Sequence, residues 1–216
     1  MHDLVIRGAL IHDGTGAAPR RDDLAVKDGV LVPDLGYVAG KPPRDAAFRS
    51  ALDDELGRML RQAAAAMQRQ LEQAWAERAP NLPLKTPEQA LILASVIEKE
   101  TGASADRPMV AAVFINRLRL GMRLQTDPTV IYGLGPAFDG NLRKRDLLAD
   151  TPYNSYTRAG LPPTPIAMPG LASLRATLQP AASQALYFVA RGDGSSQFSA
   201  TLDEHNQAVR RYILAR

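Results

Sequence analysis

The chain has 216 residues, 45% of them hydrophobic and 23% charged, a globular composition long enough to bury a core. Its net charge of +3 is too small to name a polyanionic partner, and arginines scattered without interleaved aromatics argue against a nucleic-acid module. With no cysteine, disulfides, thiolate metal sites and cysteine nucleophiles are excluded; the three histidines, His2, His12 and His205, lack ligand spacing, so no metal and no other cofactor is expected.

Residues 1–32 open the chain with two β-prone runs, LVIRGALI and LAVKDGVLV, joined by the turn-rich HDGTGAAPRRDD, which predicts a small antiparallel extension. MHDLVIRG has neither a basic start nor a long apolar run, so no signal peptide is expected, and no stretch reaches the ~18 apolar residues of a membrane span. Residues 32–45, with three prolines, read as a linker. From Asp45 to Ala79 the pattern is helical: Phe48, Leu52, Leu56, Met59, Leu60, Ala63, Met67, Leu71, Ala74 and Trp75 recur at steps of three and four, and Gly57 is a candidate break. At that spacing Trp75 reads as a core anchor in preference to a sugar-stacking platform.

Thr86–Gly102 is the strongest element. Thr86, Pro87 and Gln89 form a capping box with proline in the first turn, and Gly102 is the expected stop. Ala90, Leu91, Leu93, Ala94 and Ile97 make one apolar face, with Ile92 and Val96 on the other side, so the helix should be buried. It ends in Glu98-Lys99-Glu100. Glu98 prolongs the Leu91/Ala94 side, whereas Glu100 lies about 200° further round. A carboxyl at the mouth of a buried helix is partly desolvated, which should raise the pKa of Glu98 and suit it to general-acid work. The competing reading, an ion pair at the helix end, is favoured for Glu98 from the helix alone, and is also favoured for Glu100, which is otherwise a candidate second carboxylate.

A second helix is expected over Ala105–Leu120, capped by Ser104 and stopped by Gly121, with Val110, Val113, Phe114 and Leu118 inward and Asn116 and Arg117 off-centre. Asp127-Pro128 starts a short helix with Asp127 as cap, and Arg143–Leu148 makes one or two turns. Residues 151–170, with five prolines and two tyrosines, form a long loop suited to the wall of a cleft. A helix at Leu171–Leu178 leads to a hairpin turning on Gly192-Asp193-Gly194-Ser195. The capping box Thr201-x-x-Glu204 then opens a last helix, with Val209, Tyr212 and Ile213 inward.

ASVIEKET (94–101), VFINRLRLGMRLQTDPTVIYG (113–133), YNSYTRAGLPPTPIAMPG (153–170), LYFVARGDGSSQF (186–198) and HNQAV (205–209) together resemble the endolytic murein transglycosylases, the MltG/YceG-like family, over about four fifths of the chain. The resemblance implies cleavage of peptidoglycan glycan strands between N-acetylmuramic acid and N-acetylglucosamine, without water, leaving 1,6-anhydro ends. One carboxyl serves as acid and then base; the family's glutamate falls on the first Glu of the EKE motif, Glu98. Gln125, Asp127, Tyr153, Asn154 and Tyr156 supply polar and stacking groups for a sugar cleft, although a cap role competes for Asp127, and Asn116 and Arg117 read as braces for the loops.

The fold class expected is helix-dominated α+β: a helical catalytic core with a C-terminal β-hairpin and helix, and a small N-terminal β extension. The domains expected are the β-rich extension at 1–32, a linker and long helical segment at 33–85, and a YceG-like catalytic core at 86–216. Expected partners are peptidoglycan glycan strands and, by the resemblance, peptidoglycan synthases at the periplasmic face of the inner membrane, with no nucleic acid. The family resemblance implies membrane association, but no anchor is evident in this chain.

Residues 2–31 resemble the opening strands of D-aminoacylase-type amidohydrolases, whose His-x-His site the chain lacks. A metal-dependent amidohydrolase is therefore disfavoured. The remaining alternative is a shortened, inactive glycan-binding or scaffold protein of the same fold.

Overall fold

A computed structural model describes the backbone of residues 4–11, 20–27, 30–34 and 46–215, and side chains from Gly57 to Ala215. The fold is helix-dominated α+β, as the sequence predicts. The chain divides into two compact units, Met1–Arg61 and Gln62–Arg216.

In the first unit, β1 (Leu4–Ile11), β2 (Arg20–Lys27) and β3 (Val30–Asp34) form an antiparallel sheet in that order, with a register shift between Ile6 and Ala9. LAVKDGVLV, read as one run, is therefore the arms of a tight hairpin, with Lys27 opposite Val30. The linker expected at 32–45 begins inside β3, and residues 35–45, like His2 and His12, lie outside the described residues.

α1 (Ala46–Ala76) runs through the boundary between the units without a break, so Gly57 does not divide two helices. The apolar stripe is only partly used. Met59 and Leu60 are 56% and 63% exposed, and the helix enters the core of the second unit only through its last turns, at Leu71, Ala74 and the partly buried Trp75. The guanidinium of Arg78 lies 4.2 Å from the centre of the Trp75 ring.

α2 (Pro87–Glu100) is the core helix of the second unit. The Thr86 hydroxyl accepts from the Gln89 N–H and the Gln89 amide oxygen accepts from the Lys85 N–H. Ala90 and every residue from Leu93 to Ile97 are buried, Ser95 among them. The helix stops at Thr101, whose extended backbone (φ −138°) ends it before Gly102 is reached.

α3 (Arg107–Arg119) starts two residues later than expected because Asp106, not Ser104, precedes its first turn, with Pro108 inside that turn. Its end is as predicted. Gly121 takes φ +67°, and the N–H groups of Met122 and Gly121 bond to the carbonyls of Arg117 and Leu118, a Schellman closure that favours glycine. Leu118 is only partly buried, while Ala111, Ala112 and Ile115 join Val110, Val113 and Phe114 inside.

α4 (Asp127–Leu134) and α5 (Lys144–Leu148) are short, and α6 (Leu171–Leu178) packs along α2 and α3. β4 (Tyr187–Ala190) and β5 (Ser196–Ser199) pair antiparallel around the predicted turn. The hairpin is tied to α3 by the Asp106 carboxylate, which accepts from the Ser196 N–H at 2.6 Å. α7 (Leu202–Val209) carries the predicted capping box of Thr201 and Glu204 and continues into a π-helical turn, Arg210–Leu214. Ala208 is its buried residue. Val209 and Tyr212 are half-buried, and Ile213, expected inward, lies in the π-helical turn and is 46% exposed. No described helix is long and apolar enough to cross a membrane.

Candidate active site

The two glutamates at the end of α2 face different surroundings. Glu98 points at the start of α6: one carboxylate oxygen accepts the Gly170 N–H at 3.0 Å and the Ser173 hydroxyl at 2.5 Å. Gly170 is the N-cap of α6, so an anion there also meets the positive end of the helix. One turn earlier, the Ser95 hydroxyl accepts the Ile166 N–H at 2.9 Å. Ser95 and Glu98 thus pin both ends of the segment 166–170 to α2, leaving Met168 between them 82% exposed. The hydrogen bonds from Ser173 and Gly170 outweigh the partial burial of Glu98 and hold its pKa below the ordinary value, with Arg107 and Lys99 acting in the same direction. The raised pKa expected for Glu98 is therefore corrected: its carboxylate is stabilised in the charged form.

Glu100 has the environment expected of Glu98. It is much more deeply enclosed, and burial is the main reason its pKa is raised; the nearby Asp127 adds to this, while Thr126 and Arg117 oppose it. Its hydrogen bond comes from the neutral hydroxyl of Thr126, and among the described residues no ion pair reaches it. The ion pair favoured for Glu100 from sequence is accordingly not formed.

The loop before α4 and the loop of residues 151–170 enclose this carboxyl. Thr126, not Asp127, is the N-cap of α4, and its hydroxyl turns to Glu100 instead of to the helix. Asp127 is the first helical residue; its carboxylate accepts the Tyr156 hydroxyl at 2.6 Å. Burial, the Asp127 hydrogen bond and charge, and the charge of Glu100 raise the Tyr156 phenol far above its ordinary value, so it stays a donor.

The two loops are stapled by Ser155, whose hydroxyl receives the Thr126 N–H at 3.0 Å and meets the Thr129 hydroxyl at 2.8 Å. Gln125 adopts φ +52°, unusual for a residue with a side chain; its N–H reaches the Ser155 carbonyl at 3.1 Å. Such strain is held in place only by surrounding contacts. Here Arg117 supplies one, donating to the Gln125 side-chain oxygen at 3.3 Å and to the Leu124 carbonyl at 2.8 Å.

Arg117 was expected off-centre on α3; it is 7% exposed and central to the site. Its Nε donates to the Leu186 carbonyl at 2.7 Å. Asn116 braces as predicted, donating to the carbonyls of Ser183 and Ala185.

Of the cleft residues predicted, Asp127 and Tyr156 lie within electrostatic reach of Glu100, and Gln125 is held by Arg117 in the loop that carries Thr126. Tyr153 stands apart from them: its hydroxyl meets that of Thr164 at 2.8 Å, and its ring packs edge-on to Tyr132 at 5.0 Å. Gly133 permits this approach, since a Cβ there would lie 3.0 Å from the Tyr153 Cβ.

Asn154 does not fit a sugar-binding role. It is 1% exposed, its amide donates to the carbonyls of Asp146, Leu147 and Ala149, and its oxygen accepts the Tyr156 N–H. All its bonding capacity is spent closing α5 and shaping the loop that carries Tyr156. Thr126, Ser155 and Ser173 were missed from the sequence, because short hydroxyl side chains in loops and caps have no spacing signature. Among the described residues no cluster of ligating side chains is arranged to hold a metal.

These features can be set beside known proteins. An endolytic murein transglycosylase of Bacillus subtilis (strain 168) is 49% identical over 123 residues, 57% of this chain and 34% of the relative. One from Streptococcus pneumoniae serotype 2 (strain D39 / NCTC 7466) is 32% identical over 133 residues, 59% of this chain and 24% of the relative. The chain thus spans about a third of the length of the first and a quarter of the second. The crystal structure of a YceG-like protein from Listeria monocytogenes matches with a TM-score of 0.58 and 35% identity, over 82% of this chain and 55% of that one. The sequence pattern of the YceG-like family is matched across residues 45–211, which takes in α2, both loops around Glu100 and the C-terminal hairpin, and the chain belongs to that family.

Proposed function

We propose that the protein is an endolytic murein transglycosylase, a carbon–oxygen lyase that cuts peptidoglycan glycan strands between N-acetylmuramic acid and N-acetylglucosamine and leaves 1,6-anhydro ends. The single observation carrying the chemical assignment is the enclosed Glu100 carboxyl, with its raised pKa, amid Thr126, Asp127, Tyr156 and Arg117. A carboxyl whose neutral form is favoured by burial can donate its proton to the glycosidic oxygen as the C1–O4 bond breaks. The resulting carboxylate accepts the proton of the muramic C6 hydroxyl while O6 bonds to C1. No water enters, and one group serves both steps. Glu98, assigned this role by the sequence resemblance, has two hydrogen bonds that favour its charged form, a poor state for an acid; in this proposal it pins the segment 166–170.

Gln125, Asp127, Tyr153 and Tyr156 remain the cleft groups proposed to meet sugar hydroxyls, with Asn154 withdrawn to support. A place at the periplasmic face of the inner membrane, beside peptidoglycan synthases, is proposed on the resemblance of the sequence motifs alone.

The test is incubation of the purified chain with intact peptidoglycan and mass spectrometry of the released sugars, alongside Glu100→Gln and Glu98→Gln. Anhydro-ended products lost with Glu100→Gln and retained with Glu98→Gln are expected. Loss with Glu98→Gln alone returns the acid to Glu98. Reducing-end products identify a hydrolase, and no products from a folded chain leave glycan binding as the activity.

A further inference from the structure

One aromatic ring on the C-terminal hairpin joins α7 to the guanidinium beside Glu100. Tyr187, the first residue of β4, has the Arg117 guanidinium carbon 5.1 Å from its ring centre. The His205 imidazole on α7 stacks on the same tyrosine, with centroids 5.2 Å apart and planes inclined by 23°. Arg117 in turn holds the Leu124 carbonyl and the Gln125 side chain, the two residues before Thr126, and its charge acts on Glu100. His205, Tyr187, Arg117 and Glu100 thus form a chain of contacts and charge from the last helix to the carboxyl.

The way His205 is held shows which part of it matters. Its Nδ1 is buried and has no hydrogen-bond partner among the described residues. Burial, reinforced by the charge of Arg117, lowers its pKa and favours the neutral ring. A histidine kept for polar bonding would have that nitrogen satisfied. Here the ring face is used, and its neutrality spares Arg117 a second cation against Tyr187.

We propose that His205 is a positioning residue for the Glu100 carboxyl, acting through the stacked Tyr187 ring and the Arg117 guanidinium. The kinetic arm of its test rests on Glu100 being the acid; the spectroscopic arm does not. Because Arg117 favours the charged form of Glu100, loosening the stack should weaken that influence and raise the Glu100 titration midpoint.

The experiment is a carbon-13 NMR titration of glutamate carboxyls in the full chain, with Glu100→Gln providing the assignment, in wild type, His205→Leu and His205→Phe. The leucine variant keeps bulk without an aromatic face and is expected to move the midpoint upward. The phenylalanine variant restores a neutral ring and should leave the midpoint where it was. On soluble glycan strands, His205→Leu should move the basic limb of the kcat/KM profile to higher pH, with His205→Phe near wild type. If the leucine variant does not fold, His205→Gln is read in the same titration. A folded leucine or glutamine variant with an unmoved midpoint overturns the proposal, as does a phenylalanine variant displaced equally. Full activity in Glu100→Gln would instead overturn the acid assignment and leave the titration to decide the coupling.

Discussion

Glu98 and Glu100 are two residues apart on one helix and are driven in opposite directions: Glu98 is held in its charged form by Gly170 and Ser173, and Glu100 towards its neutral form by burial. The helical turn of about 200° between them aims one at the cap of α6 and the other at the Thr126 loop.

The first prediction is kinetic. Glu100→Gln should lower the rate of anhydro-product release about 10²- to 10⁴-fold, the range for loss of a general acid–base group. Glu98→Gln should cost less than about tenfold, appearing mainly in KM through the loosened 166–170 segment. Initial rates on soluble glycan strands separate the two.

The second concerns acid stability. The folded-state pKa of Glu98 is depressed below its ordinary 4.5. Its contribution is therefore fully present above that value and is lost as pH falls through the folded-state pKa. Melting curves below pH 4.5 should show a shallower decline for Glu98→Gln than for wild type; a parallel decline would remove Glu98 from the acid transition.

A third follows from the Asp127 charge, which helps raise the Glu100 pKa. Removing it in Asp127→Asn should lower that pKa, so the protonated acid is lost at lower pH. The basic limb of the kcat/KM profile then moves to more acidic pH. A limb that stays in place, or moves the other way, contradicts the arrangement.

Asn154 gives a purely structural prediction. Asn154→Ala strips the donor from three carbonyls at the end of α5, a loss of about 2 kcal/mol. That corresponds to a fall in Tm of roughly 6 °C for a unit of this size. Glycan affinity, measured well below the melting transition, should change little.

Local chemistry made much of the fold legible. The capping boxes at Thr86 and Thr201, the Gly121 stop, the hairpin around Gly192–Ser195 and the bounds of α6 each depend on a few adjacent residues whose backbone preferences point one way. The burial of α2 was equally readable from its all-round apolar surface.

Only the tertiary structure distinguishes the surroundings of the two carboxylates that end α2, because a pKa is set by groups distant in the chain. Glu98 receives its hydrogen bonds from residues 72 and 75 positions away, and Glu100 from one 26 positions away. For the same reason the spacing did not show that Arg117, a brace for the loops as expected, is buried, or that Asn154 spends its bonds on the scaffold: spacing on a helix or loop gives a direction, but not what waits there. The periodicity in α1 failed in the complementary sense, since an apolar stripe records the capacity for burial and Met59 and Leu60 remain exposed. Sequence fixes helix ends through neighbouring backbone groups, whereas the charge state of a side chain depends on whatever the folded chain packs around it.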